Sequence, residues 1–300
     1  MTPNPPSSSK TRRRSDGVVE PSTALVLDSK QMNAKQRDET FDYFCNAVLG
    51  VDRQTFLEQT LFHTDELPPV SKKPTKPIME KGSLYFRKER TATVVVEHWD
   101  KSQPCMLGLS TVLVPPAVID TVNISNASLE GMAQVVGQLA EAMNTRIKSK
   151  KGLFAGAEPL TRENTVVLVD GKCLPWCFLP SKEREKILVD ANKEKETKRR
   201  HVCRQRIGND YATSEFAQFP CYAIVKGDSL YYSIAASSVC SKVIRDTFVE
   251  EVLDKQFPLY RFAEHKGYCT ELHNSTLKKY GIVKEVHRLS YDPVRQLLNE

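Results

Sequence analysis

Asp170 closes the apolar run TVVLVDG, and Asp228 follows the apolar run of AIVKGDS. A carboxylate at the tip of a buried strand is costly unless it is solvated, paired or bound to a cation. Two of them on neighbouring strands have the chemistry to hold a divalent ion, because hard ions such as Mg²⁺ prefer carboxylate oxygens together with water and substrate phosphate. Both aspartates also lie in turn sequences, Asp170-Gly171 and Gly227-Asp228, so a capping or turn role stays open at this point. Shortly after Asp228, beyond SLYY, comes SIAASSVCSKVIRD at 233–246, which reads as a helix. Ala235, Ala236, Ser237 and Ser238 lead into Val239, Val243 and Ile244. A helix that opens on small and hydroxyl-bearing residues beside a carboxylate suggests that something docks closely there.

The elements that must position these groups are legible in outline. TVVLVDG is a short continuous apolar strand of the kind buried inside a helix-covered sheet. TATVVVEHW and CMLGLSTVLV read as two further strands, and TALVL, within residues 18–27, as another. Asn33 is placed to cap a helix whose apolar positions are Phe41, Phe44, Cys45 and Val48. A long helix is expected from Ser128, with Met132, Val135, Val136 and Leu139 on its apolar face. TELHNSTLKKYG reads as a helix capped near Thr270. Strands alternating with helices indicate an α/β protein.

Composition bounds the function classes. The chain has 300 residues and 40% hydrophobic content, enough for one large domain or two small ones. No apolar run approaches the roughly 18 residues of a membrane span, so no membrane partner is expected. Eight cysteines are scattered through the chain, which points to a reducing, intracellular compartment. Cys173, Cys177, His201 and Cys203 do not have a standard zinc spacing, and idle thiols are the simpler reading. Formal charge is 43 − 37 = +6, and residues 181–206 contribute +5 of it, with ten Lys/Arg against five Asp/Glu. A solvated helical insertion accounts for that segment more simply than a basic flap over a nucleic-acid backbone. Residues 1–23 read as a disordered tail, rich in Pro and Ser with an Arg cluster that suits a nuclear signal or a mitochondrial presequence.

Several blocks resemble the ribonuclease HII (type 2 ribonuclease H) family. They are LDSKQMNAKQRDETF at 27–41, VIDTVNISNASLEGM at 118–132, LVDG at 168–171, AIVKGDSLYYSIAASSVCSKVIRD, and FAEHKGYCTELHNSTLKKYGIVKEVHRLSYDPVRQ. They occur in the family's order and place a single domain over residues 24–300, with insertions near 52–103 and 180–219. The resemblance implies a ribonuclease H-like fold, a mixed sheet flanked by helices, with a C-terminal helical region. It implies cleavage of the RNA strand of RNA–DNA hybrids, or at ribonucleotides in duplex DNA, by four carboxylates and two Mg²⁺ or Mn²⁺ ions. Carried over, Asp170 and Asp228 are the third and fourth carboxylates. Tyr268 matches the tyrosine that packs on the sugar at the ribo–deoxyribo junction. Ser233, Ser237 and Lys242 fall in the block that lines the phosphate path, and Asp246 is read as structural.

The family's D-E-x-G-R-G motif, which supplies the first two carboxylates and reads the ribose 2′-OH, does not occur in these 300 residues. Asp16 and Glu20 are not adjacent, and no Gly-Arg-Gly follows them. A longer natural N-terminus, a non-catalytic relative that binds or scaffolds nucleic acid, and a substitute segment are the three readings. Glu97 and Asp100, at the end of TATVVVEHWDKS, are the candidate substitute carboxylates.

Overall fold

The computed structural model describes residues 29–68, 70, 84–97, 106–179, 182–183 and 219–299. The expected tail at 1–23, the TALVL strand, Asp100, His201 and Cys203 lie outside the described residues.

Local sequence explains the element boundaries. Helix α1 (Ala34–Tyr43) opens on a capping box: Asn33 accepts from Gln36 N while the Gln36 side chain accepts from Asn33 N. It runs on through π-helical turns (Phe44–Leu49) and stops at Gly50, whose φ of 67° suits a residue without Cβ. A short helix α2 (Arg53–Thr55) continues as a second π-helical stretch, Phe56–Phe62. Strands β1 (Arg90–Val95) and β2 (Gly108–Leu113) form an antiparallel hairpin, with Arg90 opposite Leu113 and Val95 opposite Gly108. Helix α3 (Pro116–Val122) precedes the long helix α4 (Ile124–Lys148). Helix α4 begins four residues before the expected Ser128, because Asn123 accepts from Asn126 N and starts the helix there. Its most deeply buried positions include Ala127, Gly131, Ala133, Gly137 and Ala140 rather than the valines. The reason is close approach: a Cβ on Gly131 would lie 3.2 Å from Val112 Cγ1 of β2.

Strands β3 (Val167–Asp170) and β4 (Cys221–Ile224) pair in parallel, with Asp170 level with Ile224. The described strands therefore make two separate two-stranded sheets instead of one continuous mixed sheet. No described strand bridges the hairpin and the parallel pair, and α4 packs against both. The α/β class holds, with helices predominating among the described residues.

The main core joins Phe41, Phe44 and Val48 to Phe56, Leu61 and Phe62 and to Val239, Val243 and Ile244 of helix α5 (Tyr232–Thr247). Residues 56–62, within a stretch read as insertion, thus contribute core side chains. A second cluster, Val249, Tyr260, Phe262, Leu277, Ile282 and Val294, holds the C-terminal helices α6 (Phe262–His265), α7 (Glu271–Tyr280) and α8 (Asp292–Asn299). The Asp120 carboxylate of α3 accepts from Leu289 N at 2.8 Å and Ser290 N at 2.9 Å, which ties that C-terminal segment to the rest. No helix among the described residues is long and apolar enough to cross a membrane.

Candidate functional site

Parallel pairing brings the ends of β3 and β4 level, and the chain turns sharply after β4. Lys226 takes the left-handed conformation at φ 57°, and Gly227–Ser229 form a 3₁₀ turn. Asp170 Oδ1 accepts from Gly227 N at 2.9 Å, so Asp170 is bonded to the residue immediately before Asp228. Space at Gly227 is tight. A Cβ at that position would lie 2.6 Å from Ile234 Cδ1 and 3.3 Å from Asp170 Oδ1. Asp170 is exposed, whereas the Asp228 side chain is only 3% exposed and meets Lys30 Nζ at 3.3 Å.

Lys30 was not singled out by sequence reasoning, although it stands inside the DSK block. Its neighbour Ser29 is buried and shares a 2.8 Å hydroxyl contact with Ser238 of α5, while Arg37 Nη1 donates to Ser29 O at 3.0 Å. These contacts seat the segment before α1 against α5 and beside Asp228.

Two carboxylates at adjoining strand ends are hard oxygen donors of the type Mg²⁺ or Mn²⁺ takes, with water and phosphate completing the shell. Among the described residues no cluster of three or more His, Cys, Asp or Glu is placed to hold an ion. Asp170 and Asp228 supply two such donors, and the Lys30 ammonium already offsets part of the charge on Asp228. Glu97 is exposed and pairs with Arg146 Nη2 of α4 at 3.0 Å; no described contact links it to Asp170 or Asp228. Burial pushes the thiols of Cys45, Cys221 and Cys240 up to about 12, so all three are protonated at neutral pH.

Helix α5 carries the other expected groups. Ser233 is exposed, and Ser237 Oγ donates back to Ser233 O at 2.9 Å. One helical turn on, Lys242 Nζ lies 2.8 Å from Asp246 Oδ2 and 3.0 Å from the Tyr268 hydroxyl. Arg245 Nη1 donates to Asp246 Oδ1 at 2.9 Å, and its guanidinium carbon lies 5.0 Å from the Tyr268 ring centroid. Burial pushes the Asp246 carboxyl up, but hydrogen bonds and charge from Lys242 and Arg245 outweigh it and hold the group below the usual carboxylate range. Asp246 therefore stays ionised and organises two cations around Tyr268, a residue 55% exposed. Arg245 is a second cation that sequence reasoning missed. Its signal was its place three residues after Lys242 on the same helix, and only the docking of the Tyr268 turn gave that place meaning.

Behind Tyr268 lie three buried histidines. The rings of His265 and His273 stack at 4.3 Å and 12°, and His287 lies 5.6 Å from His273. Burial lowers His287 to about 4 and also lowers His273. The folded state therefore prefers the neutral rings, while the unfolded chain takes up protons near the ordinary 6.5. For a group whose folded value is depressed, the stabilising contribution is fully present above pH 6.5 and is lost as pH falls from 6.5 towards 4. His287 alone accounts for roughly 3 kcal/mol of that acid lability, at 1.36 kcal/mol per unit. Urea midpoints measured at pH 7 and pH 4.5 should fall accordingly. The drop should be smaller in His287→Asn, and an equal drop in both proteins would contradict the assignment.

The family model described as Ribonuclease HII matches residues 181–294. The Ribonuclease HII of Francisella tularensis subsp. tularensis (strain WY96-3418) is 34% identical over 190 residues, which cover 63% of this chain and 67% of that protein. The Ribonuclease HII of Francisella tularensis subsp. holarctica (strain FTNF002-00 / FTA) is 33% identical over 178 residues, 59% of this chain and 72% of that protein.

Proposed function

Since the chain belongs to the ribonuclease HII family, we propose that it is a ribonuclease H acting on nucleic acid at the end of β3 and β4. Its substrate is the RNA strand of an RNA–DNA hybrid, or a ribonucleotide embedded in duplex DNA. The observation that supports this reading is the contact between Asp170 Oδ1 and Gly227 N, which ties the end of β3 to the turn that carries Asp228. Asp170 and Asp228 would hold Mg²⁺ or Mn²⁺, which in two-metal nucleases generates the attacking hydroxide and stabilises the leaving oxygen. The start of α5, with Ser233 and Ser237, lies along the phosphate path and lets the backbone come close. Lys242 and Arg245 bring positive charge to that path, and the exposed ring of Tyr268 packs on a sugar. The finer fold assignment, a ribonuclease H-like mixed sheet, belongs to the same reading, as does a nuclear or mitochondrial location.

A second reading has its own support: a relative that binds hybrid better than it cleaves it. Two carboxylates are a short set for two ions, and Lys30 already neutralises part of the charge on Asp228. Binding draws on dispersed contacts to phosphate and survives such losses better than catalysis does.

The experiment that separates the readings follows Mn²⁺-dependent cleavage and binding of a labelled hybrid and of a duplex with one ribonucleotide. Binding without cleavage selects the second reading, and neither activity removes both. In the same assay Tyr268→Ala should weaken hybrid binding about tenfold, the scale of one lost stacking contact of 1–3 kcal/mol. Tyr268→Phe should stay near wild type, because Asp246 still holds Lys242. Equal losses in the two variants would mean that the hydroxyl, not the ring face, is what matters.

A further inference from the structure

Tyr268 stands on an unusual piece of backbone. The two residues before it, Lys266 and Gly267, both have positive φ, at 50° and 73°. Glycine adopts that region freely, but a lysine there is disfavoured, so neighbouring contacts must hold the turn in place.

Backbone bonds from Tyr268 N to His265 O and from Thr270 N to Tyr268 O, both 2.8 Å, supply some of those contacts, and two imidazoles add others, one on each side of the Gly267–Tyr268 peptide. His265 Nε2 lies 2.9 Å from Tyr260 O, and Gly267 N donates to His265 Nδ1 at 3.1 Å. A carbonyl only accepts, so Nε2 carries the hydrogen and Nδ1 is the free acceptor that Gly267 needs. His273 Nδ1 lies 3.0 Å from Tyr268 O and must donate to it. His273 is itself fixed in the first turn of α7, where the Thr270 side chain accepts from His273 N. The two rings stack almost parallel, so each restrains the other.

Both rings are more than nine-tenths buried and cannot reach a substrate. Simple core filling would explain stacked rings. It would not explain why three of their nitrogens are spent on the backbone of one exposed turn and the segment leading into it.

We propose that His265 and His273 are positioning residues that lock the Gly267–Tyr268 peptide and thereby aim the exposed Tyr268 ring at bound nucleic acid. The inference rests on the binding role given to Tyr268 above. The Lys242–Asp246–Arg245 cluster restrains the ring from one side, and the histidine pair restrains its backbone from the other.

The test compares replacements that keep or remove the bonding nitrogen. His273→Asn places an amide N–H near the site of Nδ1, whereas His273→Leu keeps bulk without a donor. Hybrid affinity should fall about tenfold in His273→Leu, as in Tyr268→Ala. The double variant His273→Leu/Tyr268→Ala should bind no more weakly than Tyr268→Ala alone, since residues acting as a unit are non-additive. His273→Asn should restore most of the affinity. Full additivity in the double variant, or failure of Asn to do better than Leu, would overturn the proposal.

A second measurement needs no substrate. Amide exchange at Gly267 and Tyr268 should quicken by about tenfold or more in His265→Leu while exchange in α5 is unchanged, because the opening is local. Unaltered exchange at the turn would overturn the locking role. If the wild-type chain bound no hybrid, the functional reading would fall, and the exchange result would still decide whether the histidines lock the turn.

Discussion

Asp228→Asn should abolish metal-dependent cleavage of a hybrid, by at least about 100-fold, because removing one member of a catalytic unit costs orders of magnitude in rate. The same substitution should leave the unfolding midpoint unchanged or raise it. Asn has the same shape, so the Gly227–Ser229 turn and its bond to Asp170 are undisturbed. What changes is the charge. The Asp228 carboxylate is almost fully buried, and its ion pair is a 3.3 Å contact to a lysine whose side chain is 79% exposed. Desolvating a carboxylate for one long, solvated pair is unfavourable on balance, and a neutral replacement is often neutral or stabilising. Lys30 would not be stranded, since its ammonium already faces water. Lost activity together with kept or gained stability is the signature of a residue retained for function. Cleavage assays and thermal melts on one preparation check both halves. An Asp228→Asn variant that cleaved at the wild-type rate, or that melted well below wild type, would remove Asp228 from the site.

Phe41→Ala should bring the largest loss of stability, about 3–5 kcal/mol. Phe41 is completely buried in the core shared by α1, the 56–62 stretch and α5, and the Arg53 guanidinium carbon lies 5.3 Å from its ring. Truncation removes that apolar area from the core and leaves a cavity that the surrounding helices cannot fully close. The effect should reach the site. Helix α1 follows the segment in which Ser29 meets Ser238 and Lys30 meets Asp228, so loosening α1 from α5 weakens both contacts. Urea denaturation should show a lower midpoint with an unchanged slope, the pattern of a stability change without a change in the surface exposed. A loss below about 1 kcal/mol would mean that this core collapses around the gap.

Local signals in the sequence were good guides to local structure. Asn33 and Thr270 cap the helices expected after them because their short polar side chains satisfy free N–H groups of the first turn, an interaction spanning three residues; Asn123 does the same for α4, ahead of the expected start at Ser128. The short apolar runs before Asp170 and Asp228 became strands, and α5 formed where its apolar spacing placed it. Asp170 and Asp228 themselves stood out because charge at the end of an apolar run is conspicuous in any chain. The family resemblance, carried by long blocks in a set order, was also legible directly.

Other features depend on residues far apart in the chain. Lys30 reaches Asp228 across 198 positions, and no local pattern reports such a pair. Lys242 stood out through the family resemblance, but Arg245 looked like an ordinary helix-surface cation until the turn at 266–268 laid Tyr268 across both. Deeper burial of Gly131 than of the valines on α4 follows from how closely that helix approaches β2, a property of the pair of surfaces. The histidines at 265, 273 and 287 were three scattered residues in a quoted block, and packing around Phe262 gathered them into one cluster. By itself, then, the sequence determined the helices, their caps, the strand segments, the two aspartates and the family. Tertiary structure alone decided which cations face those aspartates, which face of α4 is buried and what holds Tyr268, because long-range contacts depend on how separate surfaces fit and not on any spacing along the chain.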